Sequence, residues 1–226
     1  MTLIDPPTHD TRAHVGAATR RDDRPHRKAL LAGVVAGPLF VAVSFVQIPS
    51  RAGFDVTKHA FSFLELGPGG WVQSLNFAAT GLLFVASGVG LRRAMGGVAG
   101  RVAQVLVTGV GAGMVAAGLF PPDAYRGYPT TTPVSSPLSA HGPLHAVAFT
   151  CSMLCWFALL LVMARWFARQ GRRRAALAAT LAAVGLVLVP LTTGQAFDTV
   201  LLYVAATTAF LTTAGLFAVL RGVDGD

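Results

Sequence analysis

The chain has 226 residues, of which 53% are hydrophobic and only 12% are charged, and its net charge is +8. Soluble domains average about 25% charged residues, so this chain has too few polar side chains for a water-facing surface, and a membrane protein is indicated. A nucleic-acid-binding protein is not indicated, because the Lys and Arg residues form short clusters between apolar runs instead of lining one face.

The N-terminal segment, residues 1–28, is polar, lacks apolar periodicity and ends in a basic run. We predict that it is a disordered cytoplasmic tail. The next run, residues 29–48, has 20 residues without a charge, which is enough to cross about 30 Å of hydrocarbon at about 1.5 Å per residue. No small-residue cleavage site follows at the usual distance, so we predict a first membrane helix and not a signal peptide.

Five further apolar runs are predicted to be membrane helices, because every backbone polar group within lipid needs a partner in its own segment. Their predicted ranges are 71–91, 101–120, 144–164, 175–191 and 200–220. The predicted fold is therefore an all-α polytopic membrane protein, a six-transmembrane-helix bundle over residues 29–220, with a short cytoplasmic tail at 221–226. Glycines recur within the first three helices and predict close helix packing.

The positions of Lys and Arg predict the orientation of the bundle. Assigning these residues to the predicted segments places 15 on the side of the two termini and 3 on the other side. Because cytoplasmic loops carry the excess of Lys and Arg, both termini are expected in the cytoplasm.

Nearly all reactive side chains between the two tails fall on the predicted outer side. The four acidic residues there are Asp55, Glu65, Asp123 and Asp198. We predict a polar cluster on the outer face, either structural or ligand-binding, composed of Asp55, His59, Ser62, Asp123, His141, His145 and Asp198.

The sharpest local signal for chemistry is the pair His141 and His145. Two histidines four residues apart on a helix can ligate one metal ion, and zinc is the metal that such a site would take. Asp123 would be a third ligand or would orient a histidine ring. Against this, Pro143 favours the first helical position, which would leave His141 before the helix. A polar network joining the outer loops and a site for a non-metal ligand stay open as alternatives, and neither needs a cofactor.

The first outer loop, residues 49–70, is predicted to contain a short interfacial helix at 56–66. The run Gly67-Pro-Gly-Gly70 would end it. This loop would cover the bundle, as a plain lid or a functional one.

Ser62 and four short segments stand in order at or near the predicted helix ends. The segments are Arg51-Ala-Gly-Phe-Asp55, Gly70-Trp-Val-Gln-Ser-Leu-Asn-Phe77, Gly118-Leu-Phe-Pro-Pro-Asp123 and His141-Gly-Pro-Leu-His145. Together, over roughly residues 29–220, they resemble the bacterial membrane family catalogued as domain of unknown function 998. The resemblance implies a compact multi-helix protein of the bacterial cytoplasmic membrane. That family has no established activity, so the resemblance implies no catalytic residues.

A looser similarity exists to membrane hydrolases of the alkaline ceramidase type, which use a serine, an aspartate and three histidines around zinc. The matching residue types here are Ser62, Asp123, His59, His141 and His145. The histidine spacing differs, and that group has seven helices.

Two functions follow as predictions. The first is a binding or structural membrane protein, with membrane lipid as its partner and a small molecule or lipid as its ligand. The alternative is a zinc-dependent hydrolase acting on a lipid at the outer leaflet. A transporter is disfavoured because the predicted helix interiors hold no acid, lysine or histidine. The oligomeric state is not indicated.

Overall fold

In the computed structural model, residues 24–125, 127–130, 139–192 and 199–223 are described. These residues are all-helical and contain no strand, which confirms the predicted class. Two short 3-10 helices, Ile48–Ser50 and Phe61–Glu65, lie in the first long loop. Within the described ranges the α-helices are α1 Arg24–Gln47, α2 Trp71–Met95, α3 Gly97–Leu119, α4 His141–Arg169, α5 Arg173–Thr192 and α6 Thr199–Val223.

Five of these helices are long and apolar enough to cross a membrane. Over the described residues α5 is not among them, so the sixth crossing stays a prediction. Every helix, α5 included, nevertheless exposes large apolar side chains, which suit a surface facing lipid. The spans are His26–Ser50, Trp71–Met95, Gly97–Leu119, His141–Arg169 and Thr199–Gly222. Examples of the exposed side chains, one from each helix, are Val46, Leu82, Val105, Leu154, Leu181 and Val204.

The helices form a ring in chain order. Each packs against the next one, and α6 closes the ring against α1. The link between α2 and α3 is the single residue Gly96, whose φ of 64° lies in the region that favours glycine. The ring has two ends. We call the end with residues 48–70, 120–125, 127–130 and 139–140 the loop face, and the end with the links at 96 and 170–172 the arginine face.

Glycines allow the helices to approach closely, as the sequence predicted. A Cβ atom added at Gly81 in α2 would lie 2.5 Å from the carbonyl oxygen of Gly111 in α3. At Gly37 in α1, an added Cβ would collide with the backbone of Phe210 in α6. Only a residue without a side chain permits these backbone contacts, which are a main source of helix association in lipid.

Aromatic rings fill the centre of the helix ring. Phe210 of α6 stacks on Phe40 of α1 with ring centroids 4.6 Å apart, and it meets Trp156 of α4 edge to face at 4.5 Å. The indole Nε1 of Trp156 donates a hydrogen bond to Thr213 Oγ1 at 2.9 Å. The buried indole is therefore satisfied, as aromatic polar groups in a core require.

Three local predictions differ from the structure. Helix α1 begins at Arg24, so residues 24–28 of the predicted tail are helical, while 1–23 lie outside the described residues. Helix α4 begins at His141, which places Pro143 third in the helix. A proline fits there because the first four helical amides have no intrahelical acceptor. The predicted interfacial helix is shorter than expected and is the 3-10 helix Phe61–Glu65.

Candidate functional site

His145 caps the end of α3. Its Nδ1 donates a hydrogen bond to the carbonyl oxygen of Phe120 at 2.8 Å and lies 3.2 Å from the carbonyl oxygen of Ala117. Carbonyls in the last turn of a helix lack intrahelical partners, and Pro121 and Pro122 have no amide hydrogen to offer them. Because carbonyl oxygens only accept, Nδ1 carries the proton in this arrangement.

Glu65 brings a buried carboxyl group to the same nitrogen. Its Oε2 lies 3.6 Å from His145 Nδ1, and its side chain is 0% exposed. Among the described residues neither carboxyl oxygen makes a hydrogen bond of ordinary length and angle, and Ser74 is the polar side chain that acts on it. Burial raises the pKa of Glu65 to about 8, and the nearby Ser74 side chain lowers it by a smaller amount. At neutral pH the group is therefore mainly the uncharged acid.

A glycine lets the first loop bring Glu65 inward. A Cβ atom at Gly70 would collide with the carbonyl group of Glu65, so the chain can fold back over the start of α2 only with glycine there. The ring of Phe77 in α2 packs at the edge of His145, with centroids 6.4 Å apart. We call the carboxyl group of Glu65 and the ring of His145 the Glu65–His145 pair. It lies where the first loop meets the ends of α2, α3 and α4.

A second polar group ties α1 to α2 beside this loop. Gln47 Nε2 donates to Gln73 Oε1 at 2.8 Å, and Gln73 Nε2 donates to Ser44 Oγ at 3.0 Å. Asn76 Nδ2 donates to the carbonyl oxygen of Phe40 at 3.1 Å. The guanidinium of Arg51 joins this network to the loop, because it donates to Gln47 Oε1 at 2.8 Å and also to the backbone carbonyls of residues 68 and 69.

Sequence reasoning missed this network and left Glu65 out of the polar cluster. A signal for the network was present. Ser44 and Gln47 are three residues apart in an apolar helix, as are Gln73 and Asn76, and residues three apart share a helix face. Glu65 gave no comparable signal, because the fold of its loop decides whether it is buried.

Asp55 and His59 form a local turn. Asp55 Oδ1 accepts hydrogen bonds from the amide and the hydroxyl of Thr57 at 2.9 and 2.6 Å, and Oδ2 lies 2.7 Å from Lys58 Nζ. Lys58 and Thr57 together hold the pKa of Asp55 well below its usual range. His59 Nδ1 accepts the amide of Asp55 at 3.0 Å. Ser62 lies in the 3-10 helix that follows this turn and is half-buried.

The ring of His59 belongs to an aromatic cluster and not to an open polar surface. It is 2% exposed, and its centroid lies 5.4 Å from Phe54 and 5.2 Å from Tyr128. Tyr203 of α6 donates its hydroxyl to the carbonyl oxygen of His59 at 2.8 Å. The first loop is therefore fastened to the far side of the helix ring as well.

Asp123 and Ser139 cap the start of α4. Asp123 Oδ1 accepts the amide of Ser139 at 3.0 Å, and Ser139 Oγ accepts the amides of His141 and Gly142 at 3.0 and 3.2 Å. The bonds from Ser139, with a smaller contribution from the charge of His141, lower the pKa of Asp123. His141 is exposed, and its ring lies against Phe120. This is the capping pattern typical of Ser and Asp at helix starts.

The expected ligand set is thus divided between two places. Asp123 and His141 belong to the cap of α4, whereas His145 bonds to the end of α3 and faces Glu65. Over the described residues no group of three or more His, Cys, Asp or Glu side chains could hold a metal ion. Asp198, the last member of the predicted cluster, lies outside the described residues.

Comparison with known proteins gives one family. A family model described as "Protein of unknown function (DUF998)" matches residues 34–223, which includes the Glu65–His145 pair and all six helices in whole or in large part. No match to the chain was found among curated proteins or among solved structures. The chain therefore belongs to the DUF998 family, as the segments at its helix ends indicated.

Proposed function

We propose that this chain is a binding protein of the cell membrane that crosses it six times, with both termini in the cytoplasm. The path of the chain supports the sixth crossing. Helix α4 ends at the arginine face, whereas α6 begins at the loop face, where Tyr203 bonds to His59. The chain between them must travel the length of the bundle, and α5 is the helix that does so, packed against α4 and α6.

The charges support the orientation. Every acidic residue in the described ranges lies at the loop face, namely Asp55, Glu65 and Asp123. The arginine face carries basic residues at the ends of most helices, such as Arg93, Arg169 and Arg173. By the positive-inside rule the arginine face is cytoplasmic and the loop face is external. In a bacterium this membrane would be the cytoplasmic membrane.

The main support for a binding role is the buried carboxyl group of Glu65, whose hydrogen-bonding capacity is not fully met within the part of the chain that the structure describes. The other described acids of the loop face have close local partners that explain them structurally. Neither oxygen of Glu65 makes a hydrogen bond of ordinary length and angle among the described residues, and the Ser74 side chain acts on it only weakly compared with burial. Leaving such a buried group unpaired costs about 1–3 kcal/mol, which a ligand with a polar head would recover. The neutral acid can donate and accept, so the ligand we propose is a small molecule or lipid whose head does both.

A hydrophobic carbodiimide tests whether such a molecule reaches Glu65. Carboxylic acids that hold their proton in apolar surroundings react with this reagent. The acid adds across one C=N bond to give an O-acylisourea, and the acyl group then shifts from oxygen to nitrogen to leave a stable N-acylurea. In the full-length protein in detergent, we expect modification of Glu65 at about pH 6 and much less at about pH 9, above the raised pKa of about 8. Glu65→Gln should abolish the adduct. Asp55 and Asp123 should stay unmodified, because their lowered pKa values keep them ionised at both pH values.

Protection from the same reagent tests the ligand class. Monoolein and oleyl alcohol, whose hydroxyl groups both donate and accept hydrogen bonds, should slow the modification of Glu65. Phosphatidylcholine, whose head has no donor, is the control and should not. If Glu65 reacts and no added lipid protects it, the acid is accessible but the binding role is wrong. If Glu65 does not react at about pH 6, the site is closed to apolar molecules of this size.

A further inference from the structure

A groove of about 510 Å³ lies between α4 and α5 at the arginine face. It is about 30 Å along α4 from His145, as 20 residues at about 1.5 Å each require, so it is separate from the Glu65–His145 pair. Its lining combines small apolar residues with two arginines on consecutive turns of α4. The lining residues that matter here are Ala164, Arg165, Ala168, Arg169, Ala176 and Leu177.

The two arginines have no acidic partner in the part of the chain that the structure describes. Arg165 and Arg169 are exposed, and the described acids all lie at the opposite end of the bundle. Like charges four residues apart on a helix repel each other, so an anion between these two side chains would stabilise them. A phosphate diester matches the planar donors of guanidinium groups.

The position of the groove fits a lipid headgroup. Helix α4 has 29 residues, so it is about 43 Å long and extends from the hydrocarbon core into the headgroup layer. Its last turns, which carry Arg165 and Arg169, lie at that layer when the helix spans the membrane. Leu177 is 59% exposed beside three alanines, an apolar surface on which the first methylenes of an acyl chain can lie.

We propose that this groove binds an anionic phospholipid of the surrounding membrane, with the phosphate between Arg165 and Arg169 and an acyl chain along the alanine floor. The site is a cytoplasmic-leaflet site and uses no residue of the Glu65–His145 pair. The phosphate that binds here belongs to a membrane lipid and is not a free phosphate ion, because the apolar floor would contribute nothing to binding a free ion.

Lipid retention by the full-length protein tests this proposal. Purified protein is exchanged into mixed phosphatidylglycerol and phosphatidylcholine, and the retained lipid is counted by native mass spectrometry. We expect phosphatidylglycerol to be retained preferentially by the wild type. Arg165→Gln with Arg169→Gln should weaken its retention about 10- to 30-fold, since each arginine near an anionic surface contributes about 1 kcal/mol.

Two matched variants separate the groove from the general charge of this face. Arg93→Gln with Arg101→Gln removes the same charge from exposed arginines outside the groove, and it should change retention much less. Ala168→Leu fills the floor without changing any charge, and it should weaken retention as well.

Three results would overturn the proposal. Equal losses in the two double variants would show an effect of surface charge alone. Retention of phosphatidylcholine equal to that of phosphatidylglycerol would show no preference for an anion. Displacement of phosphatidylglycerol by excess inorganic phosphate, with no effect of Ala168→Leu, would show a free-anion site.

Discussion

The Oε2 atom of Glu65 lies 3.6 Å from Nδ1 of His145, although the two residues belong to different segments of the loop face. Nδ1 already donates to the end of α3 through Phe120, so Glu65 is a neighbour of this hydrogen bond and not its acceptor. A buried carboxyl group in such a place is most stable in its protonated form. The stability of the folded protein should therefore depend on pH.

Stability should fall as pH rises from about 5 to about 8. The pKa of Glu65 rises from an ordinary 4.5 to about 8 on folding, so between these values only the folded state keeps the proton. The free energy of unfolding therefore decreases by about 1.4 kcal/mol per pH unit from this group, and the loss is complete above about pH 8. Thermal unfolding in detergent over this pH range measures the slope.

Glu65→Gln isolates this contribution. The amide does not titrate, whereas His145, the titratable group that faces Glu65, is unchanged in the variant. The difference between wild type and variant should therefore grow with pH, in favour of the variant. Asp55 and Asp123 do not interfere, because their lowered pKa values keep them ionised above about pH 5. If the difference in stability between the two proteins is constant over the whole pH range, Glu65 is not a buried acid with a raised pKa.

Removal of the His145 side chain should destabilise the protein much more than removal of His141. His145→Ala leaves the carbonyl oxygens of Phe120 and Ala117 without their donor, which costs about 1–3 kcal/mol. His141→Ala removes an exposed ring and should change stability by less than about 0.5 kcal/mol. Chemical unfolding of the two variants in the same detergent compares them. Equal changes would mean that the cap on α3 contributes nothing.

Most of the fold could be predicted from the sequence because lipid imposes a simple rule. A chain segment in hydrocarbon must satisfy its own backbone, so apolar length alone locates the helices. The predicted run 71–91 corresponds to Trp71–Met95, and 200–220 corresponds to Thr199–Val223. The prediction ended helices where charges begin. Arginines such as Arg92 nevertheless continue α2, because their charged ends reach water from a helical backbone.

The site was less predictable because it depends on contacts between distant segments. The spacing of His141 and His145 predicts a shared site. Spacing alone cannot reveal that His141 is exposed and that His145 faces the end of α3. Likewise, no sequence pattern shows that Gly70 lets the loop bury Glu65. Tertiary packing decides both outcomes. The grouping of Asp123 with both histidines assumed proximity from the loop alone.

Close contact of α2 and α3 predicts different costs for two glycine substitutions. In Gly81→Ala the new Cβ would lie 2.5 Å from the carbonyl oxygen of Gly111, so the helices must separate, at a cost of about 1–3 kcal/mol. Gly185 in α5 is the matched control, because an added Cβ there meets nothing within 4 Å. Gly185→Ala should be neutral or stabilising by up to about 1 kcal/mol. Equal tolerance of both substitutions, measured by thermal unfolding, would contradict the close backbone contact between α2 and α3.

Cysteine labelling in intact cells should report opposite sides of the membrane for the two faces. After Cys151 and Cys155 are replaced by alanine, Thr57→Cys at the loop face should react with a membrane-impermeant maleimide. Gln170→Cys at the arginine face should react only after the cells are opened, because the positive-inside rule places it in the cytoplasm. Both native positions are exposed, so the labels can reach them. Labelling of residue 170 in intact cells would reverse the proposed orientation.

Closure of the ring by α1 and α6 sets the order of events during synthesis. Gly33 and Gly37 of α1 fit closely against Phe217 and the backbone of Phe210, residues of α6 that are synthesised only after α2 to α5. Until then, the surface of α1 that will contact α6 is covered by lipid or by the insertion machinery. Helix α1 therefore meets α6 only after the four helices between them have been made, and a chain released before residue 210 cannot complete the bundle.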